Sequence, residues 1–258
     1  MRSPWQITLS AWQALLLREA VTRMFSRRIA LVWLLAEPVA HIGFMVLVFA
    51  AIRTRVIGGM DVVYWISSGM LAFFLFKRTA ELGAAAIGAN QALFTYRQVQ
   101  PADTVLVRCV FEGCLMLLVA AIVMPSLALM GVPMTVDEPL EAIGSLAGLW
   151  LLALGWSMAV SVANELAPEL ASVLDLLMTP LMLISGVLFP LSAVPYEWRE
   201  WLLLNPVAHG IEGLRAGLSG SYHHVPELSL GFVFGSALVL LFLGLALQAR
   251  FRNRLLAS

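Results

Sequence analysis

Charge is scarce in this sequence. Asp, Glu, Lys and Arg make up 12% of its 258 residues, about half the roughly 25% usual in a soluble domain. With 60% of residues hydrophobic, a water-soluble globule of this size would be left with a greasy exterior, which excludes an ordinary soluble enzyme. Sixteen basic residues balance sixteen acidic ones, so neither a nucleic-acid footprint nor a polybasic membrane patch is expected. Lysine is all but absent. Lys77, in Phe76-Lys77-Arg78, is the only one, and a P-loop needs Gly-Lys-Ser or Gly-Lys-Thr to reach phosphates. Any ATP hydrolysis must come from another chain.

Other absences narrow the field further. Cys109 and Cys114 are the only cysteines; five residues apart on a helix they point about 140° away from each other, so no internal disulfide is expected. The four histidines, His41, His209, His223 and His224, include no pair at metal-ligand spacing on a helix face. No Gly-x-Ser-x-Gly elbow occurs, and Leu218-Ser219-Gly220-Ser221 reads as a loop. Asp175 is the only aspartate inside an apolar run, which argues against a catalytic aspartate pair. Met1-Arg2-Ser3-Pro4-Trp5 leads into no short apolar block with a small-residue cleavage site, so no cleavable signal peptide is expected. Internal repeats and low-complexity tracts are missing as well.

What remains is a series of long apolar runs. A spanning helix needs about 20 mainly apolar residues, and six runs qualify: Ala30 to Ile52, Val62 to Leu82, Thr104 to Met130, Leu140 to Ala163, Leu170 to Ala193, and Leu228 to Ala249. Basic residues favour cytoplasmic segments. Arg2, Arg18, Arg23, Arg27, Arg28, Lys77, Arg78, Arg97, Arg108, Arg250, Arg252 and Arg254 fall on one side, and Arg53, Arg55, Arg199 and Arg215 on the other. Twelve against four predicts that both termini are cytoplasmic.

Ahead of the first run, Trp5, Leu9, Trp12, Leu16 and Ala20 recur at helical spacing. The pattern predicts an amphipathic helix, either lying in the membrane interface or capping a partner. Between the fifth and sixth runs the chain is too apolar for a free loop, yet Pro190, Pro195 and Pro206 break it. Two short helices are predicted, Tyr196 to Leu204 and Val207 to Leu218, as a re-entrant hairpin joined at Asn205-Pro206.

Ionisable groups at membrane depth are default functional candidates. They fall into pairs one helical turn apart: Glu37 with His41, Lys77 with Glu81, and Arg108 with Glu112. Arg108 with Glu112 is read as charge compensation, whereas Glu37 with His41 fits function and structure equally, since Pro38 opens the helix there. A docking segment is predicted from Gly88 to Asp103, with an apolar knob, Arg97, and a Pro-x-Asp able to cap the next helix. From these residues alone an exporter permease, an intramembrane enzyme acting on a lipid-linked sugar, and an envelope scaffold all remain open.

Three motifs add a resemblance. Glu37-Pro38 after Trp33, then Ala89-Asn90-Gln91 with Leu93-Phe94-x-Tyr96-Arg97 and Pro101-x-Asp103-Thr104, then Asn205-Pro206-x-x-His209-x-x-Glu212-x-x-Arg215 together resemble the KpsM-like permeases. These are the membrane subunits of type-2 ABC exporters of capsular polysaccharide, related to the Wzm-like O-antigen exporters, and the likeness covers almost the whole chain. It implies a single all-α transmembrane domain over residues 1–258, with an interface helix at 1–29, a six-span bundle at 30–249 and a cytoplasmic tail at 250–258. A multi-pass homodimer in the bacterial inner membrane follows, with two ATPase subunits that bind the ATP and Mg, and no cofactor in this chain. The implied cargo is a lipid-linked polysaccharide, with a periplasmic co-polymerase and outer-membrane export proteins as further partners. O-antigen, teichoic acid and drug exporters share the architecture.

The resemblance also assigns residues. Asn90, Gln91, Phe94, Tyr96, Arg97, Pro101 and Asp103 would form the ATPase-coupling segment, although Gln98 stands where the family carries Pro. Tyr196, Trp198, Trp201, Asn205, Pro206, His209, Glu212 and Arg215 would belong to periplasmic gate helices. Sugar rings slide on aromatic faces, which suggests Trp65, Phe73, Phe74 and Phe76 as channel lining. Arg27, Arg28, Lys77 and Arg78 would meet a phosphate or acidic sugar, with Glu37 and His41 nearby.

Overall fold

The computed structural model describes residues 4–25, 30–52, 56–95 and 98–256. Among these are ten α-helices: α1 (Pro4–Phe25), α2 (Ala30–Ile52), α3 (Val62–Ala84), α4 (Pro101–Leu129), α5 (Pro139–Leu166), α6 (Pro168–Leu176), α7 (Met178–Ile184), α8 (Tyr196–Leu202), α9 (Pro206–Leu218) and α10 (Leu230–Leu255). Short 3-10 helices occupy Gly88–Thr95 and Leu191–Ala193. Before α3, β1 (Val56–Ile57) and β2 (Met60–Asp61) pair antiparallel, Val56 opposite Asp61. Gly58 and Gly59 take φ of 57° and 89° between them, a left-handed pair that only glycine adopts without strain. Asp61 then caps α3, its side chain accepting from the Val63 and Tyr64 amides.

Among the described residues four helices are long and apolar enough to cross a membrane, over Val32–Ile52, Pro101–Leu129, Pro139–Leu166 and Leu230–Leu255, with mean hydropathies of 2.0, 2.3, 1.8 and 2.5. They match four of the six expected runs. A fifth run, α3, has 23 residues, long enough in principle at about 1.5 Å per residue, but Lys77, Arg78 and Glu81 crowd its last two turns and lower its hydropathy. The run Leu170 to Ala193 is not one helix. It splits into α6 and α7 at Leu177 and ends in turns, because Pro180 supplies no amide to the Leu176 carbonyl and its ring crowds that turn. At the other end, α10 continues through Arg250, Arg252 and Arg254, so the segment expected as a tail is largely helical.

The centre of the bundle is α3, α5 and α9, with α10 laid along α5. Small residues set that last contact. A Cβ on Gly155 would lie 2.8 Å from the Leu241 amide nitrogen, and one on Gly244 2.7 Å from the Ala159 amide nitrogen. The two backbones therefore touch, as in membrane helix pairs built on small residues. The main core gathers Trp65, Ile66, Met70 and Phe73 of α3 with Met116 and Val119 of α4, Leu149 and Leu152 of α5, and Ile211 and Leu214 of α9.

Candidate functional site

Helix α1 turns a half-buried stripe, Thr8, Ala11, Trp12, Leu15, Leu16, Glu19, Ala20 and Arg23, toward the bundle. Trp5 and Leu9, expected in one face with Trp12 and Leu16, are exposed. The docked face is thus partly charged, and among the described residues side-chain contacts fasten α1 at four levels. Trp12 Nε1 donates to Asp103 Oδ1 at 2.7 Å, and Arg18 donates to Asn90 Oδ1 at 2.8 Å. Arg108 pairs with Glu19 at 3.0 Å, and Arg23 reaches Glu112. Every partner lies between residues 90 and 112, in or just after the predicted docking segment.

That segment is built locally. Asn90 Nδ2 donates to the Ala86 carbonyl at 2.8 Å, holding the 3-10 turn, and Gln91 donates to Glu165 at 3.1 Å. Phe94 is half-buried against Ile87 and Val105. Pro101 opens α4, and Asp103 Oδ2 reaches back to the Gln100 amide at 2.9 Å, so Asp103 ties the helix start and α1 together. Tyr96 and Arg97 lie outside the described residues, as do Arg27 and Arg28. A cavity of about 410 Å³ lies between Ala11, Ala14, Leu15 and Arg18 on one side and Leu93, Gln98 and Val99 on the other.

The charge pairs differ from those expected on helical spacing. Arg108 and Glu112 form no direct ion pair with each other; each is taken by α1, because the side chains of neighbouring helices approach more closely than the next turn. The result is an alternating series across four helices: Arg108, Glu19, Arg23, Glu112, Arg78, Glu37. Glu112, with no exposed side-chain surface, is its hub, 3.5 Å from Arg78 Nε. Glu37 pairs with Arg78 at 3.3 Å, not with His41, whose ring stands edge-on to Phe74 at 5.1 Å. Lys77 and Glu81 do pair, at 3.7 Å. Between α2 and α3 these groups line a groove of about 260 Å³ formed by Glu37, Pro38, His41, Phe74, Lys77, Arg78, Glu81 and Leu82.

The aromatic stripe of α3 is core. Trp65, Phe73 and Phe76 are 0%, 1% and 2% exposed, so in this structure none of them lines an open passage; Phe74 alone borders the groove. The reason is the position of α3 at the centre of the bundle, where every face meets a helix.

The two helices expected between the last runs are present but unlike each other. Helix α8 leaves Tyr196, Trp198 and Trp201 exposed, whereas α9 is buried from Val207 to Gly217. Asn205 caps α9 by accepting the Val207 amide at 3.0 Å, and Pro206 occupies its first turn. His209 bridges outward, its Nε2 2.7 Å from the Leu203 carbonyl and its Nδ1 accepting the Ser229 amide at 3.2 Å; together these contacts define the Nε2–H tautomer. Arg215, fully buried, lies 3.8 Å from the Trp65 ring centroid, with 2.9 Å to Glu212 and Nη donors on the Gly186 and Val187 carbonyls at 2.7 and 3.1 Å. The Tyr222 hydroxyl donates to Glu212, and burial, then the Glu212 charge, hold that phenol well above its usual range. Gly69 makes the cluster possible, since a Cβ there would lie 2.2 Å from Arg215 Nη2. Sequence reasoning missed Glu19, Arg23, Gly69 and Tyr222. Only a glycine amid the bulky residues of α3 hinted at the guanidinium beneath it.

Long apolar helices, a charged network spanning four of them and a buried ion pair under α3 define a polytopic α-helical membrane protein with an ordered polar apparatus at the α1 end. The chain belongs to the ABC-2 type transporter family, whose pattern it matches over residues 10–219. It is 31% identical over 258 residues to the polysialic acid transport protein KpsM of Escherichia coli, covering 100% of this chain and 99% of that one. Similarity extends to the capsule polysaccharide export inner-membrane proteins CtrC of Neisseria meningitidis and BexB of Haemophilus influenzae. These are 30% and 26% identical, each over 92% of this chain and 89% of the relative.

Proposed function

We propose that this chain is the permease subunit of an ATP-driven exporter that carries lipid-linked capsular polysaccharide across the bacterial inner membrane. The observation that carries the proposal is its end-to-end similarity to proteins named for polysialic acid transport and capsule polysaccharide export. In this reading α3 and the broken α6–α7 segment complete six membrane crossings, both termini are cytoplasmic as the arginine distribution suggests, and α8–α9 is the periplasmic gate pair. Two copies form the pathway, and two separate ATPase subunits bind ATP and Mg.

The docking segment and α1 would receive the ATPase together, for they are joined by the Trp12–Asp103 and Arg18–Asn90 hydrogen bonds. A push on residues 90–103 would then pass through Arg23, Glu112 and Arg78 to α2. The charged groove offers Lys77 and Arg78 to the phosphate or acidic end of the carrier lipid, each held by a carboxylate at 3.3 Å or more that an incoming anion can replace.

The test is to co-express the tagged chain with candidate ATPases from the same genome, then measure co-purification, ATP hydrolysis in lipid nanodiscs and surface polysaccharide. A two-plus-two complex whose ATPase activity and export are lost in Arg97→Glu is expected. Normal export by that variant would remove the coupling role, and a chain that binds no ATPase would overturn the reading.

A further inference from the structure

Two buried polar atoms in the charged series face each other without bonding. Arg78 Nε and Glu112 Oε2 stand 3.5 Å apart, and neither has a hydrogen-bond partner among the described residues. A guanidinium beside a buried carboxylate ordinarily closes to about 2.7–2.9 Å, and a buried group left unsatisfied calls for a physical reason. Here each atom belongs to a side chain engaged elsewhere. Glu112 of α4 gives its other oxygen, Oε1, to Arg23 of α1. Arg78 of α3 turns its Nη1 to Glu37 of α2 at 3.3 Å. The two holds are unequal: Glu112 has no exposed side-chain surface, whereas Glu37 is 72% exposed, and an ion pair with so exposed a partner is weak.

Arg23 and Arg78 therefore compete for one carboxylate, and the two cations sit on elements with different duties. Arg78 lines the α2–α3 groove together with Lys77, while Arg23 comes from α1, which packs on α4 and α2. While α1 is docked, Arg23 satisfies Glu112 and the Arg78 guanidinium stays beside the groove. When α1 lifts, Glu112 cannot follow, because it is buried in α4. A buried carboxylate stripped of its partner is strongly unfavourable, so the nearest cation closes the 3.5 Å gap, and that cation is Arg78. The groove then keeps Lys77 but loses its guanidinium.

We infer that Arg23 is a positioning residue that sets the anion affinity of the α2–α3 groove: docked α1 leaves Arg78 to the groove, and lifted α1 lets Glu112 withdraw it. The ligand class is a phosphate oxyanion, which a guanidinium and an ammonium together bind through charge-assisted hydrogen bonds. Linkage makes the effect reciprocal, so a phosphate in the groove stabilises the docked α1. An acidic end is thus held while α1 is down and released when it rises. The inference rests on the reading of the groove given under Proposed function for its ligand, but not on what the phosphate is attached to.

The full-length chain in an uncharged maltoside detergent is titrated by calorimetry with inorganic phosphate and with dioctanoyl phosphatidic acid, dioctanoyl glycerol serving as the blank. Binding by the parent that is lost in Lys77→Gln/Arg78→Gln is expected; tighter binding of the phosphatidic acid assigns the phosphate to a lipid headgroup, and equal binding assigns it to the free anion. Arg23→Gln should weaken binding about tenfold, a size usual for coupled sites. Glu112→Gln should bind at least as tightly as the parent, and Arg23→Gln/Glu112→Gln should recover the parent affinity, because the carboxylate that withdraws Arg78 is gone. In an Arg78→Gln background, Arg23→Gln should change binding by less than about twofold, as expected when the shared partner is already removed. Parent-like binding by Arg23→Gln overturns the inference, as does a loss that persists in the double variant or in the Arg78→Gln background, since the first would reflect damaged folding and the second the general field of a lost charge. If Arg23→Gln does not fold, Glu112→Gln decides alone, and weaker binding than the parent overturns the competition. Binding absent from the parent, or undiminished in Lys77→Gln/Arg78→Gln, overturns the groove as an anion site and the inference with it, while surface polysaccharide decides the export reading separately.

Discussion

Removing Arg23 tests whether charge fastens α1 to the bundle. Arg23→Ala deletes the guanidinium that lies 2.6 Å from Glu19 and pairs with the fully buried Glu112, leaving Arg78 at 3.5 Å as the remaining ion partner of that carboxylate. At 3.5 Å the Coulomb attraction is about 5 kcal/mol for an effective dielectric near 20, and desolvation offsets much of it. Breaking one side of a buried pair nevertheless costs about 3–5 kcal/mol, because the other charge stays behind. Arg23 keeps 15% of its side chain exposed, which places the expected loss near the lower end, about 3 kcal/mol. The contact of its guanidinium with the Phe111 ring, 5.4 Å to the centroid, adds about 0.5 kcal/mol. Equilibrium unfolding in mixed micelles of Arg23→Ala, Glu112→Gln and the double variant isolates the pair. A coupling energy of at least about 1.5 kcal/mol is expected, and additivity within about 0.5 kcal/mol would refute the proposition that this pair holds α1 in place.

Gly244→Val should cost about 3 kcal/mol or more, since the new side chain meets the α5 backbone instead of a movable side chain; a thermal-unfolding midpoint in detergent within 1–2 °C of the parent, roughly the size of a negligible change, would contradict the close α5–α10 approach. Gly69→Ala should drive the Arg215 guanidinium off its two carbonyls at a loss of about 2–4 kcal/mol, read as reduced thermal stability and a shift in Trp65 fluorescence, and an unchanged spectrum would count against the stacked geometry. Tyr222→Phe removes the hydroxyl donor to Glu212 and should cost about 1.5–3 kcal/mol. Because the folded state holds the Tyr222 phenol above its unfolded value, its stabilisation is complete below the ordinary tyrosine range and declines as pH rises through and beyond it. The parent should therefore lose more stability than Tyr222→Phe between pH about 9 and 11, and parallel curves would show that the phenol does not titrate in this way.

The sequence by itself determined the solvent and the broad class. Scarce charge and long apolar runs can bury themselves only in a bilayer, and a 20-residue hydropathy signal survives whatever the helices pack against, so α2, α4, α5 and α10 were legible, as was the Pro101-x-Asp103 start of α4. The Lys77–Glu81 pair was legible too, being one turn apart on a single helix. What spacing could not supply was the company each helix keeps. Glu112 stands one turn from Arg108, yet tertiary packing gives it Arg23, 89 residues away, because interhelical approach in the bundle brings those groups closer than the helix's own next turn. The aromatic run of α3 reads as a lining in sequence and is core in space, since only the packed structure decides which helix is central. The run from Leu170 to Ala193 reads as one span in sequence, yet it breaks at Leu177 ahead of Pro180; that the broken segment leaves Asp175 exposed is a property of the folded bundle.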